Sequence, residues 1–209
     1  MTSYIAPFVI YIGLSLIGSL FEHGAQFMYP IKTVAIAAWL WFCRREYPEL
    51  RIRIHARQIL TAILVGAVVF VVWILPEGHY PTLGESEFNP FVFGDGIQAV
   101  FLIVFRLTGA ALVVPIFEEL FWRSFLIRWI INQDFRKVEL GKFTWLSFTL
   151  VTLFFGLEHN RWLVGLFAGA AYNWLIYRKQ NLWVCILAHA ITNLSLGVYV
   201  LQTQQWGFW

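Results

Sequence analysis

Charge is scarce in this chain. Of 209 residues, 15 are Lys or Arg and 12 are Asp or Glu, so 13% are charged, about half the share of a typical soluble domain. That scarcity excludes a disordered chain, a nucleic-acid-binding domain and an ordinary cytosolic enzyme. Cysteine is scarce as well. Cys43 and Cys185 lie at or within apolar runs and have no metal-type spacing, so they read as packing residues with no disulfide or metal role. The first apolar run lacks a charged leader and a small-residue cleavage site. It reads as a retained helix rather than a signal peptide. The C-terminus shows no lipidation motif. There is no internal repeat and no low-complexity stretch.

What the chain does have is apolar surface. Hydrophobic residues make up 59%, with 20 Phe and 11 Trp, and the mean hydropathy is +0.67. These values point to a single integral membrane domain over residues 1–209. Apolar runs occur at 4–21, 28–43, 57–75, 97–117, 120–131, 144–157, 162–177 and 182–203. Their faces are apolar all round, as lipid-embedded helices require. The ten-residue alternating segments of a β-barrel are missing. The expected fold is an all-α, polytopic transmembrane bundle of about seven to eight helices, given about 20 residues per span. The stretch 97–131 is too long for one span, at about 52 Å if fully helical, and Pro115 is placed to kink or divide it. The run 144–157 is short for a full span.

The loops carry an orientation signal. Arg44, Arg45, Arg51, Arg53 and Arg57 crowd one segment, and Arg128, Arg136, Lys137 and Lys142 crowd another. Arg178 and Lys179 mark a third, short turn. Segment 76–96 instead holds Glu77, Glu85, Glu87 and Asp95 with no Lys or Arg, and is rich in Pro and Gly. The positive-inside rule makes the basic side and the N-terminus cytoplasmic and segment 76–96 external. This topology sets His159 near the external face and Glu118 deeper or cytoplasmic.

Ionisable residues inside apolar runs are costly in a membrane and usually functional. Three clusters qualify. The first is Glu118-Glu119-Leu120-Phe121-Trp122-Arg123. On a helix Glu119 and Arg123 are one turn apart and can pair, while Glu118 points about 100° away. One carboxylate held by a cation and another aimed elsewhere suit general-base chemistry. They equally suit a salt bridge at a helix end. The second cluster holds Phe155 and His159 on one face, followed by Asn160 and Arg161. The histidine is a catalyst or an interfacial hydrogen-bonding residue. The third is His189-Ala190-Ile191-Thr192-Asn193, deep in an apolar run, where polar glue between helices is the plain alternative. Arg106 is a further buried candidate without a role. Together the clusters supply the groups to activate water and stabilise an oxyanion. They also hold enough His and carboxylate groups for a metal site.

The ordered pattern Glu-Glu-x-x-x-Arg, Phe-x-x-x-His and His-x-x-x-Asn, here Glu118-Glu119 with Arg123, Phe155 with His159, and His189 with Asn193, resembles the CAAX protease and bacteriocin-processing family. The eukaryotic relatives of that family are the type II CAAX prenyl endopeptidases. The resemblance covers residues 118–193, the expected catalytic region. The short chain is also similar to bacterial members linked to exosortase systems. At Ser124, many relatives have Gly. The resemblance implies intramembrane peptide-bond hydrolysis without a covalent intermediate. Glu118 would be the base, Glu119 its partner and His159 the helper. His189 and Asn193 would form the oxyanion hole, and Arg123 would hold the first motif. A metal-dependent mechanism is the rival within the family. The chain lacks the His-Glu-x-x-His pair of a zinc face, which favours a reaction with no metal and no cofactor. The implied setting is the bacterial inner or plasma membrane. Membrane lipid and a peptide or protein substrate are the implied partners, and nucleic acid is not.

Other intramembrane proteases fit less well. The chain has no His-Glu-x-x-His, no Gly-x-Gly-Asp, and no Gly-x-Ser-x with a later partnering His. Two other classes stay open: a scaffold, chaperone or immunity factor, and a proton-coupled transporter. A protease requires the motif residues around one water-accessible cavity, a transporter a path to both faces, and a scaffold tight pairs without a cavity. Trp206, Phe208 and Trp209 read as an interfacial anchor.

Overall fold

The computed structural model describes residues 1–84 and 87–209. The described residues form seven helices and no strand. These are α1 (Thr2–Gly18), α2 (Gly24–Cys43), α3 (Ala56–Ile74), α4 (Ile97–Ile131), α5 (Trp145–Leu157), α6 (Trp162–Lys179) and α7 (Leu182–Thr203). Of these, α3, α4 and α7 are long and apolar enough to cross a membrane by length and composition. The chain is a helical membrane bundle.

Local signals set the helix ends. Thr144 caps α5 by accepting from the Ser147 amide at 3.2 Å, and Asn181 caps α7 by accepting from Trp183 at 3.0 Å. Gln180 takes a left-handed conformation, φ 49°, and closes α6 one residue earlier. A two-residue turn thus joins α6 to α7.

Runs 97–117 and 120–131 prove to be one continuous helix. Pro115 does not divide α4, because the helix widens just before it. Residues Gly109–Val113 and Leu120–Leu126 form π-helical turns. There the Val114 amide bonds to the Gly109 carbonyl and the Ile127 amide to Trp122, five residues back in each case. A π turn inserts one extra residue and so rotates everything beyond it by about 100° relative to an unbroken helix.

Hydrogen bonds sort the loops into two ends. At one end the Tyr4 hydroxyl reaches Glu49, Asn181 donates to the Arg53 carbonyl, Trp183 donates to the Leu50 carbonyl, and Arg128 pairs with Glu49. At the other end Arg161 pairs with Glu77, Leu83 donates to the Asn160 carbonyl, and Trp162 donates to the Pro81 carbonyl. The seven helices therefore alternate in direction, with the basic loops at the first end and segment 76–96 at the second. Glu85, counted with the acidic segment, lies outside the described residues.

Close backbone approach holds the bundle centre. α3 packs along α7 and α5 along α6. A Cβ at Gly66 would stand 2.5 Å from the Ala188 carbonyl, and Thr192 donates to the Gly66 carbonyl at 2.9 Å. Small residues let membrane helices meet this closely.

Candidate active site

The first motif divides its two carboxylates between two jobs. Glu119 is fully buried. Its Oε1 accepts from the Arg123 guanidinium at 3.2 Å and from His189 Nδ1 at 2.9 Å, while its Oε2 lies 3.2 Å from Arg123 Nε. Arg123 is itself fully buried, 4.2 Å over the Phe155 ring and 5.3 Å from that of Tyr172. It also donates to the Gly169 carbonyl at 3.5 Å. Glu119 is thus the hub that binds α4 to α7 through a charge-assisted triad.

Glu118 is held by no such pair. It is buried and lines a cavity of about 170 Å³, and among the described residues its Oε2 has no hydrogen-bond partner; Glu119 Oε2 has none either but lies within the Arg123 ion pair. A buried polar atom without a partner calls for a functional or solvent explanation. A water takes about 30 Å³ of liquid volume, so the cavity has room for several waters or for a short stretch of peptide. His159, His189 and Asn193 line the same cavity. Of the three arrangements that separate protease, transporter and scaffold, this is the one a protease requires. The topology that set His159 and Glu118 apart in depth did not register how far the cavity extends along α4.

The two histidines are oriented by their Nδ1 atoms. His159 Nδ1 lies 2.7 Å from the Phe155 carbonyl. A carbonyl only accepts, so Nδ1 carries the proton and neutral His159 keeps an accepting Nε2. The Trp73 ring closes over it at 5.3 Å. His189 gives Nδ1–H to Glu119 and stacks on Tyr172 at 5.2 Å and 24°.

Asn193 is positioned by the π turn. Within that turn the Ala110 carbonyl would accept from residue 115, and Pro115 has no amide hydrogen. Asn193 Nδ2 donates to this carbonyl at 2.8 Å. One amide hydrogen of Asn193 is therefore engaged, and its second remains to face the cavity.

The structure thus brings all seven motif side chains together: Glu118, Phe155, His159, His189 and Asn193 at the cavity, with Glu119 and Arg123 behind them. Sequence spacing did not reveal Tyr172, whose hydroxyl donates to Thr192 at 2.8 Å and whose ring supports His189. A tyrosine inside an apolar run was its only signal. The C-terminal aromatics correct an expectation. Phe208 and Trp209 are not a free interfacial anchor. They are buried, pack with Tyr29 and Phe88, and line the cavity. Among the described residues no three His, Cys, Asp or Glu side chains are grouped to hold a metal ion.

Residues 99–195, a little under half of the chain, match the family model of type II CAAX prenyl endopeptidase Rce1-like proteins. Over that segment the chain is similar to the CAAX protease family. The matched segment contains every residue of the three motifs. A CAAX prenyl protease 2 from Saccharomyces cerevisiae is 25% identical over 127 residues, which are 58% of this chain and 39% of the yeast protein. The chain therefore spans well under half the length of that relative. No solved structure matches the chain.

Proposed function

We propose that this protein is a membrane-embedded endopeptidase that cleaves a peptide bond with a water activated by Glu118, without a metal ion. The observation that carries this reading is the division of labour in the first motif. Glu119 is occupied by Arg123 and His189, and Glu118 faces a cavity with an unpartnered oxygen.

The chemistry follows from that geometry. The Glu118 carboxylate takes a proton from water, and the water oxygen bonds to the scissile carbonyl carbon. His159, accepting at Nε2, orients the water. Charge moves onto the carbonyl oxygen, where the second amide hydrogen of Asn193 is a donor. Donation from His189 Nε2 requires the imidazolium form, and Glu119 is its counter-ion. Collapse of the tetrahedral species breaks the C–N bond, and protonated Glu118 returns the proton to the leaving amine. The products are a carboxylic acid and an amine.

The basic end faces the cytoplasm on this reading, by the positive-inside rule. The deciding experiment compares the termini of membrane proteins in cells making the wild type or Glu118→Gln at equal membrane levels. New termini present only with the wild type, and unchanged by a chelator, are expected. Identical termini from both forms, with both rescuing a deletion phenotype, would leave the protein a scaffold.

A further inference from the structure

The segment joining α2 to α3 is held on its inner side by other helices. Glu49 turns inward and is 5% exposed. It accepts from the Tyr4 hydroxyl at 3.0 Å and from Ser124 at 2.6 Å, and it pairs with Arg128. The Leu50 carbonyl accepts from Trp183 Nε1 at 3.0 Å, and the Arg53 carbonyl from Asn181 Nδ2 at 2.9 Å. Residues of α1, α4 and α7, with the α7 cap, thus fix this segment in place.

Its cations are left bare. Arg44, Arg45, Arg51, Arg53 and Arg57 are all exposed. None of the five pairs with a carboxylate among the described residues. With Glu49 drawn inward, Glu46 is the one exposed carboxylate in 44–57. Arg51 donates to the Arg45 carbonyl at 3.0 Å, which folds the two short basic turns against each other. Arg57 stands in the first turn of α3, where the helix dipole is positive and a further cation is unfavourable. An anion there relieves both charges. The other basic loop at this end is better balanced. Arg136, Lys137 and Lys142 share it with Asp134 and Glu139, and Lys137 pairs with Asp134 at 2.9 Å.

The neighbours of the five arginines set their depth. Trp41 and Phe42, just before them, are 65% and 80% exposed, and Ile52 between Arg51 and Arg53 is exposed too. Exposed aromatics at a helix end sit at the level of the lipid headgroups. Arg44 lies 4.3 Å over the Trp41 ring and donates to the Trp41 carbonyl at 2.6 Å, which holds its guanidinium at that level.

We propose that the α2–α3 segment binds the headgroup phosphate of an anionic lipid in the leaflet at the basic end of the bundle. Guanidinium groups match phosphate oxygens two at a time. The exposed apolar side chains among the arginines favour a lipid over a soluble phosphate. The inference does not depend on the proteolytic reading.

The test uses the full chain in dodecyl maltoside, titrated with phosphatidylglycerol or with phosphatidylcholine of the same acyl chains and read by native mass spectrometry. The wild type should bind phosphatidylglycerol about tenfold or more tighter than phosphatidylcholine, since each arginine near a lipid surface contributes about fivefold. Arg45→Gln, Arg53→Gln and Arg57→Gln together should remove that preference. The same three positions changed to Lys should keep most of it, which separates lost charge from lost fold. Arg136→Gln, Lys137→Gln and Lys142→Gln together should also leave most of it. Equal loss in the two Gln triples overturns the proposal, because the preference would then come from the charge of the whole face. Equal binding of the two lipids by the wild type overturns it as well. So does displacement of bound phosphatidylglycerol by millimolar inorganic phosphate, which would assign the segment to a soluble anion.

Discussion

At the scale of single residues, Glu118 and Glu119 are adjacent and chemically identical but have unlike surroundings. Glu119 is neutralised on both oxygens, and removing a partner leaves an uncompensated charge in a buried site. Arg123→Met should therefore lower stability by about 3–5 kcal/mol, read as a large drop in melting temperature in detergent. Glu118→Gln removes a carboxylate that forms no ion pair among the described residues, and its melting temperature should stay within a few degrees of the wild type. Equal destabilisation by both substitutions would contradict the division of labour. Ser124, where many relatives have Gly, also acquires a role at this scale. Its hydroxyl donates to Glu49 Oε1 at 2.6 Å and accepts from Arg128 at 2.6 Å. It belongs to a buried ion network at the basic end of α4 rather than to the cavity.

At the scale of the element, α4 matters most. Its first π turn creates one orphan carbonyl, at Ala110, because Pro115 has no amide hydrogen to give. Asn193 satisfies it from α7. Two consequences can be separated by a double-mutant cycle on stability. Asn193→Ala should cost about 1 kcal/mol, the loss of one part-buried hydrogen bond. In a Pro115→Ala background the backbone regains a donor, and the same substitution should cost much less. Purely additive effects would show that Asn193 and Pro115 are not coupled. The element scale also explains why the sequence ran short here. Periodicity marks a helix over 97–131, but it does not reveal where a helix takes one extra residue. Pro115 alone read as a kink or a break, whereas the π turn lets the helix continue.

At the scale of the whole molecule, the alternating helices gather the basic loops at one end and the acidic segment at the other. Single cysteines at His79 and at Arg136, introduced in a Cys43→Ser background, should label from opposite sides with a membrane-impermeant thiol reagent in intact cells. His79→Cys should react from outside and Arg136→Cys only after permeabilisation. The reverse pattern would invert the orientation, and labelling of both from one side would contradict the seven-helix path. The cavity draws on residues from both ends of the chain. Tyr11 and Trp209 border the space into which Glu118 faces. A C-terminus read as an anchor thus becomes a wall of the site.

The sequence by itself determined the solvent, the helices and the candidate chemistry. Low charge and long apolar runs leave only a membrane helical bundle, since backbone groups in lipid must bond within their own helix. Carboxylates, histidines and an asparagine inside those runs mark themselves by their cost. The three motifs are local spacings, and local spacings are legible one turn at a time. Only the tertiary structure decided which glutamate faces a cavity, because that choice depends on where His189 arrives from α7. It alone placed Tyr172 beneath His189 and gave Asn193 its orphan carbonyl. Those contacts join residues far apart in the chain, and a one-dimensional pattern does not record which helices become neighbours.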